Sequence, residues 1–269
     1  MAKGRAKLSV SLPREKTAKV KELAGYSILI YGEKKIGKTS LAAQFPDAFF
    51  LMFEPGGKAL ELFAAPVKSW KHFVAYLDTL EREDRFDTVV IDTIDLCYEA
   101  CYESICKANN ITHPNEMRDH GQTWRAIKTE FQRQIHRLLS LGRGVILLSH
   151  AKEVEIMGLN GQATTRIQST MSGQAHDVVD ALIDIWIYYG YKGRNRYLFL
   201  NGNEHITAGA RNMEDHFLLD NPIYCGKSAA ETYQNFQAAF NNDPIPFPPR
   251  EMAPKKSKPK PKLRIKRSK

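Results

Sequence analysis

One glycine-rich stretch constrains the fold of this chain more than any other feature. Residues 32–39 read Gly-Glu-Lys-Lys-Ile-Gly-Lys-Thr and match G-x-x-x-x-G-K-[ST] at every fixed position. The apolar run Tyr26–Tyr31 before it predicts a buried strand, and residues 39–44 after it predict the start of a helix. A phosphate-binding P-loop needs this arrangement, because its backbone N–H groups then point at the phosphate beside a helix N-terminus.

The residue types in this loop predict the parts of a nucleoside triphosphate site. Lys38 would reach the β- and γ-phosphates, and the Thr39 hydroxyl would hold Mg²⁺. ATP and Mg²⁺ are therefore the expected cofactors. The further residues expected to contact ATP are Gly32, Glu33, Lys34, Lys35, Ile36, Gly37 and Ser40.

A second metal ligand is expected at the end of a neighbouring strand. P-loop proteins hold Mg²⁺ with a carboxylate as well as with the loop hydroxyl. Asp92 directly follows the apolar run Val89–Ile91 and meets this description. The competing interpretation is that Asp92 caps the helix that follows it.

The group that activates the attacking water must lie away from Asp92, because the next residue is Thr93 and not an acid. Glu54 is the best alternative, since it ends the predicted strand Ala48–Phe53 and parallel sheets bind ligands at the carboxyl ends of their strands. A carboxylate there could orient water for attack. A solvated loop glutamate would fit the same pattern.

Ser149 and His150 end a further predicted strand, which starts at Gly144. A polar pair at this edge commonly contacts the γ-phosphate or the attacking water, and could relay hydrolysis to the rest of the fold. His150 is therefore a candidate catalytic residue. A histidine that only satisfies a loop carbonyl explains the position nearly as well.

Apolar strands alternate with amphipathic helices along the chain, which predicts an α/β fold. Strands that are nearly all apolar are typical of a parallel sheet covered by helices on both faces. Later in the chain, residues 182–189 and 196–200 predict further strands, and Asn201–Gly202 predicts a hairpin turn before residues 204–206. These strands are expected to add antiparallel pairs at the edge of the sheet.

The net charge of +9 is unevenly distributed and suggests three regions. Residues 1–22 carry +5 and form a basic N-terminal arm, and residues 23–243 form the predicted ATPase domain. Residues 244–269 are a Pro/Lys-rich tail expected to be disordered, and residues 254–269 alone carry nine Lys or Arg and no acid. Such a tail would attract phosphate backbones without sequence specificity, although a nuclear-localisation signal or a solubility role competes with DNA binding.

Composition also indicates the cellular compartment in which the chain is expected to work. No apolar run approaches the ~20 residues that span a bilayer, so no membrane partner is expected. The four cysteines form no disulfide-like framework, which indicates a reducing, cytoplasmic setting.

The ordered series of motifs resembles the RecA-like P-loop ATPase core. It is similar to phage-encoded AAA-domain nucleotide-binding proteins, which include single-strand-annealing recombinases. The resemblance covers about residues 24–220 and extends through Gly121–Trp124 and Ala208–Arg211. The motifs that carry it are Gly32–Thr39, the strand ending in Glu54, Val89–Thr93 and Leu147–His150.

The resemblance implies roles for several residues. In such proteins the glutamate matching Glu54 is the hydrolytic base and the aspartate matching Asp92 serves the metal. ATP lies between subunits of a ring or filament, so a homo-oligomer is implied, with a basic residue of the neighbour completing the site. Arg211 is the candidate for that residue, and an ordinary surface or ion-paired arginine is the competing interpretation.

Three other groups could suggest chemistry but are interpreted as structural or left open. Cys97, Cys101, Cys106 and His113 lack zinc-knuckle spacing and indicate small buried thiols. The acidic residues Asp177, Asp180 and Asp184 indicate solvated and strand-edge charges. The aromatic residues Trp186, Tyr188, Tyr189, Tyr191 and Tyr197 fit core packing and base stacking equally well.

Two functions are consistent with the sequence. The first is a Mg²⁺-dependent, DNA-stimulated ATPase that binds single-stranded DNA in phage recombination or replication, in the company of a single-strand-binding protein. The second is a nucleotide-gated interaction module, such as a helicase loader or packaging accessory, that hydrolyses little ATP. A small-molecule kinase is a weaker third class, because no Arg-rich lid segment is evident.

Overall fold

The computed structural model describes residues 12–157, 161–219, 221–246 and 248. The first eleven residues of the basic arm and most of the Pro/Lys-rich tail lie outside the described residues. The predictions made for those segments therefore stay predictions.

A mixed β-sheet forms the centre of the described chain. Its strands are β1 (Ser27–Gly32), β2 (Ala48–Met52), β3 (Phe63–Pro66), β4 (Thr88–Asp92), β5 (Gly144–Met157), β6 (Ala163–Ser169), β7 (Ile185–Lys192), β8 (Asn195–Phe199), β9 (Gly209–Ala210) and β10 (Ile223–Tyr224). Eight of them lie in the order β10-β8-β7-β1-β5-β4-β2-β3, while β6 pairs with β5 and β9 with β7. The strands from β3 across to β7 in this order are parallel to their neighbours, whereas β8, β9 and β10 add antiparallel pairs. This confirms the predicted fold, a mostly parallel sheet with antiparallel edge strands.

Helices cover both faces of the sheet, because successive side chains of each buried strand point to opposite faces. The helices are α1 (Lys38–Ala42), α2 (Trp70–Leu80), α3 (Ile94–Ala108), α4 (Gln122–Leu139), α5 (Gly173–Leu182) and α6 (Ala229–Phe240). Val89 and Ile91 pack on one face with α2, α3, α4 and α5, whereas Val90 packs on the other face with α1 and α6.

The register of the parallel strands brings the predicted site to one edge. Gly32 at the end of β1 pairs with His150 of β5, and Met52 at the end of β2 pairs with Asp92 of β4. Strand β5 lies between β1 and β4. The P-loop after β1, Glu54 after β2, Asp92 at the end of β4 and His150 within β5 therefore lie at the same edge, which is the carboxyl edge of the parallel strands.

Two predicted elements in the C-terminal third were wrong in detail. The segment from Leu182 is not strand at its start, because α5 runs to Leu182 with Ala175, Val178 and Val179 buried at helical spacing, and β7 begins only at Ile185. Asn201–Gly202 is not a hairpin turn: residues 204–206 form no named strand, and the Asn203 side chain accepts hydrogen bonds from the backbone of residues 205 and 206.

The hairpins of this region lie elsewhere. Strands β7 and β8 pair directly across the turn that contains Gly193, whose φ of 63° suits glycine. The prediction that a strand ends at Ser149 and His150 was wrong: β5 continues to Met157 and pairs with β6, a strand that the sequence did not predict. In the described part of the chain, no helix has both the length and the apolar character to cross a bilayer.

Candidate functional site: the P-loop and its neighbouring strand ends

The P-loop connects β1 to α1 in a conformation that depends on its two fixed glycines. Gly37 has a φ of 115°, in the left-handed region that side-chain-bearing residues rarely adopt. A Cβ on Gly32 would lie 2.2 Å from the carbonyl oxygen of Tyr189 on β7. Strand β7 therefore packs directly against the start of the loop, and glycine is required at both positions.

Lys38 is almost fully buried at the start of α1, with 7% of its surface exposed. Its Nζ donates to the carbonyl oxygens of Gly32 and Glu33, both at 2.9 Å, and lies 3.5 Å from Nδ1 of His150. Burial lowers the pKa of this ammonium, and the nearby carboxylates of Asp92 and Glu54 oppose that shift. A buried ammonium held by its own loop is positioned to receive phosphate oxygens.

Thr39 and Asp92, the two residues predicted to hold Mg²⁺, are in direct contact. The Thr39 hydroxyl donates to Oδ2 of Asp92 at 2.9 Å. Asp92 is 4% exposed, and burial raises the pKa of its carboxyl while the Thr39 hydrogen bond lowers it. One hydroxyl and one carboxylate suit Mg²⁺, which prefers oxygen ligands and usually keeps waters and substrate phosphates as its other ligands.

Glu54 and His150 face each other across the same edge. Oε1 of Glu54 lies 3.5 Å from Nε2 of His150, whose other ring nitrogen lies near Lys38. The backbone N–H of Glu54 also donates to the carbonyl oxygen of Asp92 at 3.3 Å. Direct contacts thus connect Glu54 to both Asp92 and His150.

These residues line one cleft of about 650 Å³ at the carboxyl edge of the sheet. The P-loop forms one wall, and the loop that follows β2 forms another, with Pro55, Gly56 and Gly57. Of the predicted site residues, the cleft is lined by Lys35, Gly37, Lys38, Thr39, Ser40, Glu54, Asp92 and His150. The side chain of Ile36 is instead buried in the core.

Arg211 lies away from this cleft within its own chain. Its Nη2 donates to the carbonyl oxygens of Asp180 and Ala181, at 3.1 and 3.0 Å, at the C-terminal end of α5. Its backbone N–H donates to Asp184, just before β7 begins, whereas the P-loop packs near the opposite end of β7. The role of Arg211 toward a neighbouring subunit stays a prediction.

Two residues that touch the site escaped the sequence analysis. Asp95, in the first turn of α3, accepts hydrogen bonds from the hydroxyls of Ser149 and Thr170, at 3.1 and 2.6 Å. Arg196 of β8 donates from Nη1 to the carbonyl oxygen of Ile36 in the P-loop at 3.1 Å. A helix-start acid three residues after Asp92 was the only signal for Asp95, and the sequence contained no signal for Arg196.

The groups interpreted as structural take ordinary places. Cys97, Cys101 and Cys106 are buried thiols outside disulfides. Asp184 caps the start of β1 by accepting from the backbone and hydroxyl of Ser27, and it lies before β7 rather than inside a strand as predicted. Trp186, Tyr188 and Tyr189 are buried, whereas Tyr191 is 53% exposed. Within the residues that the structure describes, no group of three or more His, Cys, Asp or Glu side chains could hold a metal.

Comparison with known proteins places the site in a family context. A family model described as an AAA domain matches residues 24–212, which include the P-loop, Glu54, Asp92 and His150. The SPbeta prophage-derived uncharacterized protein YorG of Bacillus subtilis (strain 168) is 26% identical over 139 residues. That alignment covers 49% of this chain and 43% of YorG, so the chain spans less than half of the length of this relative.

Proposed function

Because the chain belongs to the AAA domain family, we propose that it is a Mg²⁺-dependent ATPase that binds single-stranded DNA in phage recombination or replication. Family membership supports nucleotide binding and ATPase-type chemistry. The prophage origin of the relative YorG supports a phage context for this chain.

One observation supports the proposal of ATP hydrolysis: a single cleft is lined by Lys38, Thr39, Asp92, Glu54 and His150. Each group supplies a different part of phosphoryl transfer to water. Lys38 would place a positive charge on the β- and γ-phosphates, and Thr39 with Asp92 would hold Mg²⁺. Bound Mg²⁺ would neutralise phosphate charge and orient the triphosphate.

Glu54 would serve as the base. Its carboxylate stands at the cleft wall opposite the P-loop, where it can orient a water and accept its proton. His150 lies between Glu54 and Lys38, within 3.5 Å of each, so it can hold the glutamate in place and respond to the γ-phosphate. We assign His150 as a positioning residue for Glu54.

Charge supports the DNA-binding part. Residues 254–269 carry +9, whereas residues 23–253 carry −5, so the folded region alone would repel a phosphate backbone. We propose that the basic tail supplies the attraction and that ATP-dependent homo-oligomers, in a ring or filament, align subunits on the strand. Arg211 is the candidate to complete a neighbour's site, and a single-strand-binding protein is a candidate partner.

The experiment measures ATP turnover and ATP affinity with and without single-stranded DNA. Wild type should turn over ATP faster with DNA, Lys38→Ala should lose ATP binding, and Glu54→Gln should keep ATP binding but lose about 10²–10⁴-fold in turnover. Glu61→Gln is the matched control, because Glu61 is an exposed glutamate a few residues after Glu54 and does not line the cleft.

The outcomes separate the two candidate functions. Turnover without any stimulation by single-stranded DNA would remove the recombinase role and leave the ATPase. Tight ATP binding with negligible turnover, unchanged by Glu54→Gln, would instead identify a nucleotide-gated interaction module.

A further inference from the structure

A second cleft, of about 550 Å³, lies beside the ATP cleft and is unused by the proposed mechanism. It lies between α3, α4 and the start of α5, on the sheet face opposite to α1. We call it the aromatic cleft. Its lining residues are Asp95, Tyr98, Glu99, Tyr102, Trp124, Thr170, Ser172, Gly173 and Gln174.

Three rings give this cleft its apolar surface. Tyr102 and Trp124 lie 5.8 Å apart between ring centroids, at an angle of 50°. The indole N–H of Trp124 donates to Asn115 at 2.9 Å, and the Tyr98 hydroxyl donates to Gln174 at 3.0 Å. Hydrogen bonds to neighbours therefore hold two of the rings in place, which reduces the entropy lost when a ligand packs against them.

The charge of the aromatic cleft is negative. Asp95 and Glu99 lie one turn apart on α3, and none of the residues that line the cleft is Lys or Arg. At the neighbouring surface, Lys128 of α4 is paired with Asp177 of α5 at 3.0 Å. Carboxylates beside aromatic faces favour an ammonium or guanidinium group on an apolar stem.

We propose that the aromatic cleft binds the basic C-terminal segment of this chain, centred on Lys258-Pro259-Lys260-Pro261-Lys262. Proline rings pack on aromatic side chains, and proline fixes its own φ, so a peptide of this sequence loses little entropy on docking. The lysines between the prolines would pair with the exposed Glu99, and the more buried carboxylate of Asp95 would add to the negative potential. The segment 254–269 contains no acid that could compete for them.

The length of chain before this segment limits its reach. Ile245 packs on the α1–α6 face of the sheet, and Lys258 follows Pro248 by ten residues. At about 3.1 Å per residue in a proline-rich conformation, ten residues span about 30 Å. Because the aromatic cleft lies on the other face of the sheet, the segment would have to pass around an edge of the sheet to dock there.

Photo-crosslinking of the full chain tests the proposal without using ATP hydrolysis. A benzoylphenylalanine in place of Leu263 keeps every lysine and proline of the segment. After irradiation without DNA, we expect mass spectrometry to find crosslinks in the peptides that contain Tyr98–Tyr102 or Trp124. DNA is left out because the same lysines are proposed to bind it.

Charge reversal at the rim gives the matched comparison. Glu99→Arg should lower the crosslink yield about fivefold, because a nearby attraction becomes a repulsion. Glu103→Arg reverses the next exposed acid on α3, which does not line the cleft, and should leave the yield unchanged. Asp95 is left intact because it also binds Ser149 next to the ATP cleft.

The result that overturns the proposal is equally specific. Crosslinks spread over other surfaces, or a yield that Glu99→Arg and Glu103→Arg change equally, would exclude docking in the aromatic cleft. Thermal melting of both variants must match wild type, and Glu99→Gln provides a milder variant if the reversal perturbs folding. Because the readout is a contact, it stands whether or not the chain hydrolyses ATP.

Discussion

The burial of two ionisable side chains in the ATP cleft lowers the free energy of unfolding. Asp92 and Lys38 are both nearly buried, and burial shifts the pKa of each toward its neutral form. The Thr39 hydroxyl only partly compensates the Asp92 carboxylate. Burying a charge without a full set of partners is unfavourable, so the site is expected to trade stability for metal binding.

Asp92→Asn should therefore separate stability from function. Asparagine keeps an oxygen that can accept the Thr39 hydrogen bond but removes the buried charge. We expect the variant to melt at the same or a higher temperature than wild type at pH 7, without nucleotide, while its Mg²⁺-dependent ATP turnover falls about 10²-fold or more. Calorimetry and a turnover assay measure the two effects.

The difference in melting temperature between Asp92→Asn and wild type should depend on pH, and the direction of that dependence tests the explanation. The pKa of Asp92 is raised in the folded chain above its ordinary value of 3.8, so the folded state binds more protons than the unfolded state between those two values. The cost of the buried charge is absent below that window and complete above it. The advantage of Asp92→Asn should thus grow as pH rises through the window, and an advantage largest at low pH would contradict the argument.

At the scale of elements, the P-loop depends on β8, a strand that contains no part of the motif. Arg196 joins the two by donating from Nη1 to Ile36 in the loop and from Nη2 to Lys227 before α6. A Cβ on Gly37 would lie 3.2 Å from the same guanidinium. Strand β8, at the antiparallel edge of the sheet, therefore helps to hold the phosphate-binding loop in its conformation through Arg196.

Arg196→Ala should weaken ATP binding without touching a phosphate-facing side chain. Losing a charged hydrogen bond costs about 1.5–3 kcal/mol, so we expect the KM for ATP to rise about tenfold or more with a smaller change in kcat. Arg194→Ala is the matched control, since Arg194 is exposed in the turn between β7 and β8. A fall in kcat at constant KM would show that Arg196 acts on chemistry rather than on the loop.

How much of the fold and site could be predicted depended on whether the deciding contacts were local. The P-loop, Asp92, Glu54 and His150 were found because each follows an apolar run, and parallel strands bring such positions to one edge. Arg196 is 160 residues from its partner Ile36, and no local pattern encodes that contact. Leu182 was assigned to a strand because only Asp184 separates Leu182 and Ile183, at the end of helix α5, from the apolar residues of β7.

At the scale of the whole molecule, Arg211 has two candidate roles: it stabilises its own chain, and it completes the ATP site of a neighbouring subunit. The variant Arg211→Ala distinguishes them. Within the chain it binds two carbonyls at the C-terminal end of α5, where a cation also favours the helix dipole. Arg211→Ala should therefore lower the melting temperature by a few degrees, as expected for a loss of about 1–2 kcal/mol. If Arg211 also completes a neighbour's site, turnover per folded subunit should fall at unchanged ATP affinity.

The control for Arg211 uses mixed assemblies. Wild type mixed with Glu54→Gln, which keeps its own Arg211, should retain turnover in the wild-type sites that receive the arginine. Equal turnover of folded Arg211→Ala and wild type would leave Arg211 with its structural role and require another basic residue in trans.

The last prediction concerns the contribution of the basic C-terminal segment to DNA binding. Deletion of residues 254–269 removes +9 from a chain whose total is +9 and leaves a neutral protein. Binding to single-stranded DNA should weaken, and the slope of log affinity against log salt should flatten by about 0.7 for each phosphate that the protein no longer neutralises. The deletion should leave the fold intact, because the core residues on both faces of the sheet all come before residue 246. Fluorescence anisotropy across a salt series measures both the affinity and the slope, and an unchanged affinity at low salt would show that DNA is bound by the folded domain and not by this segment.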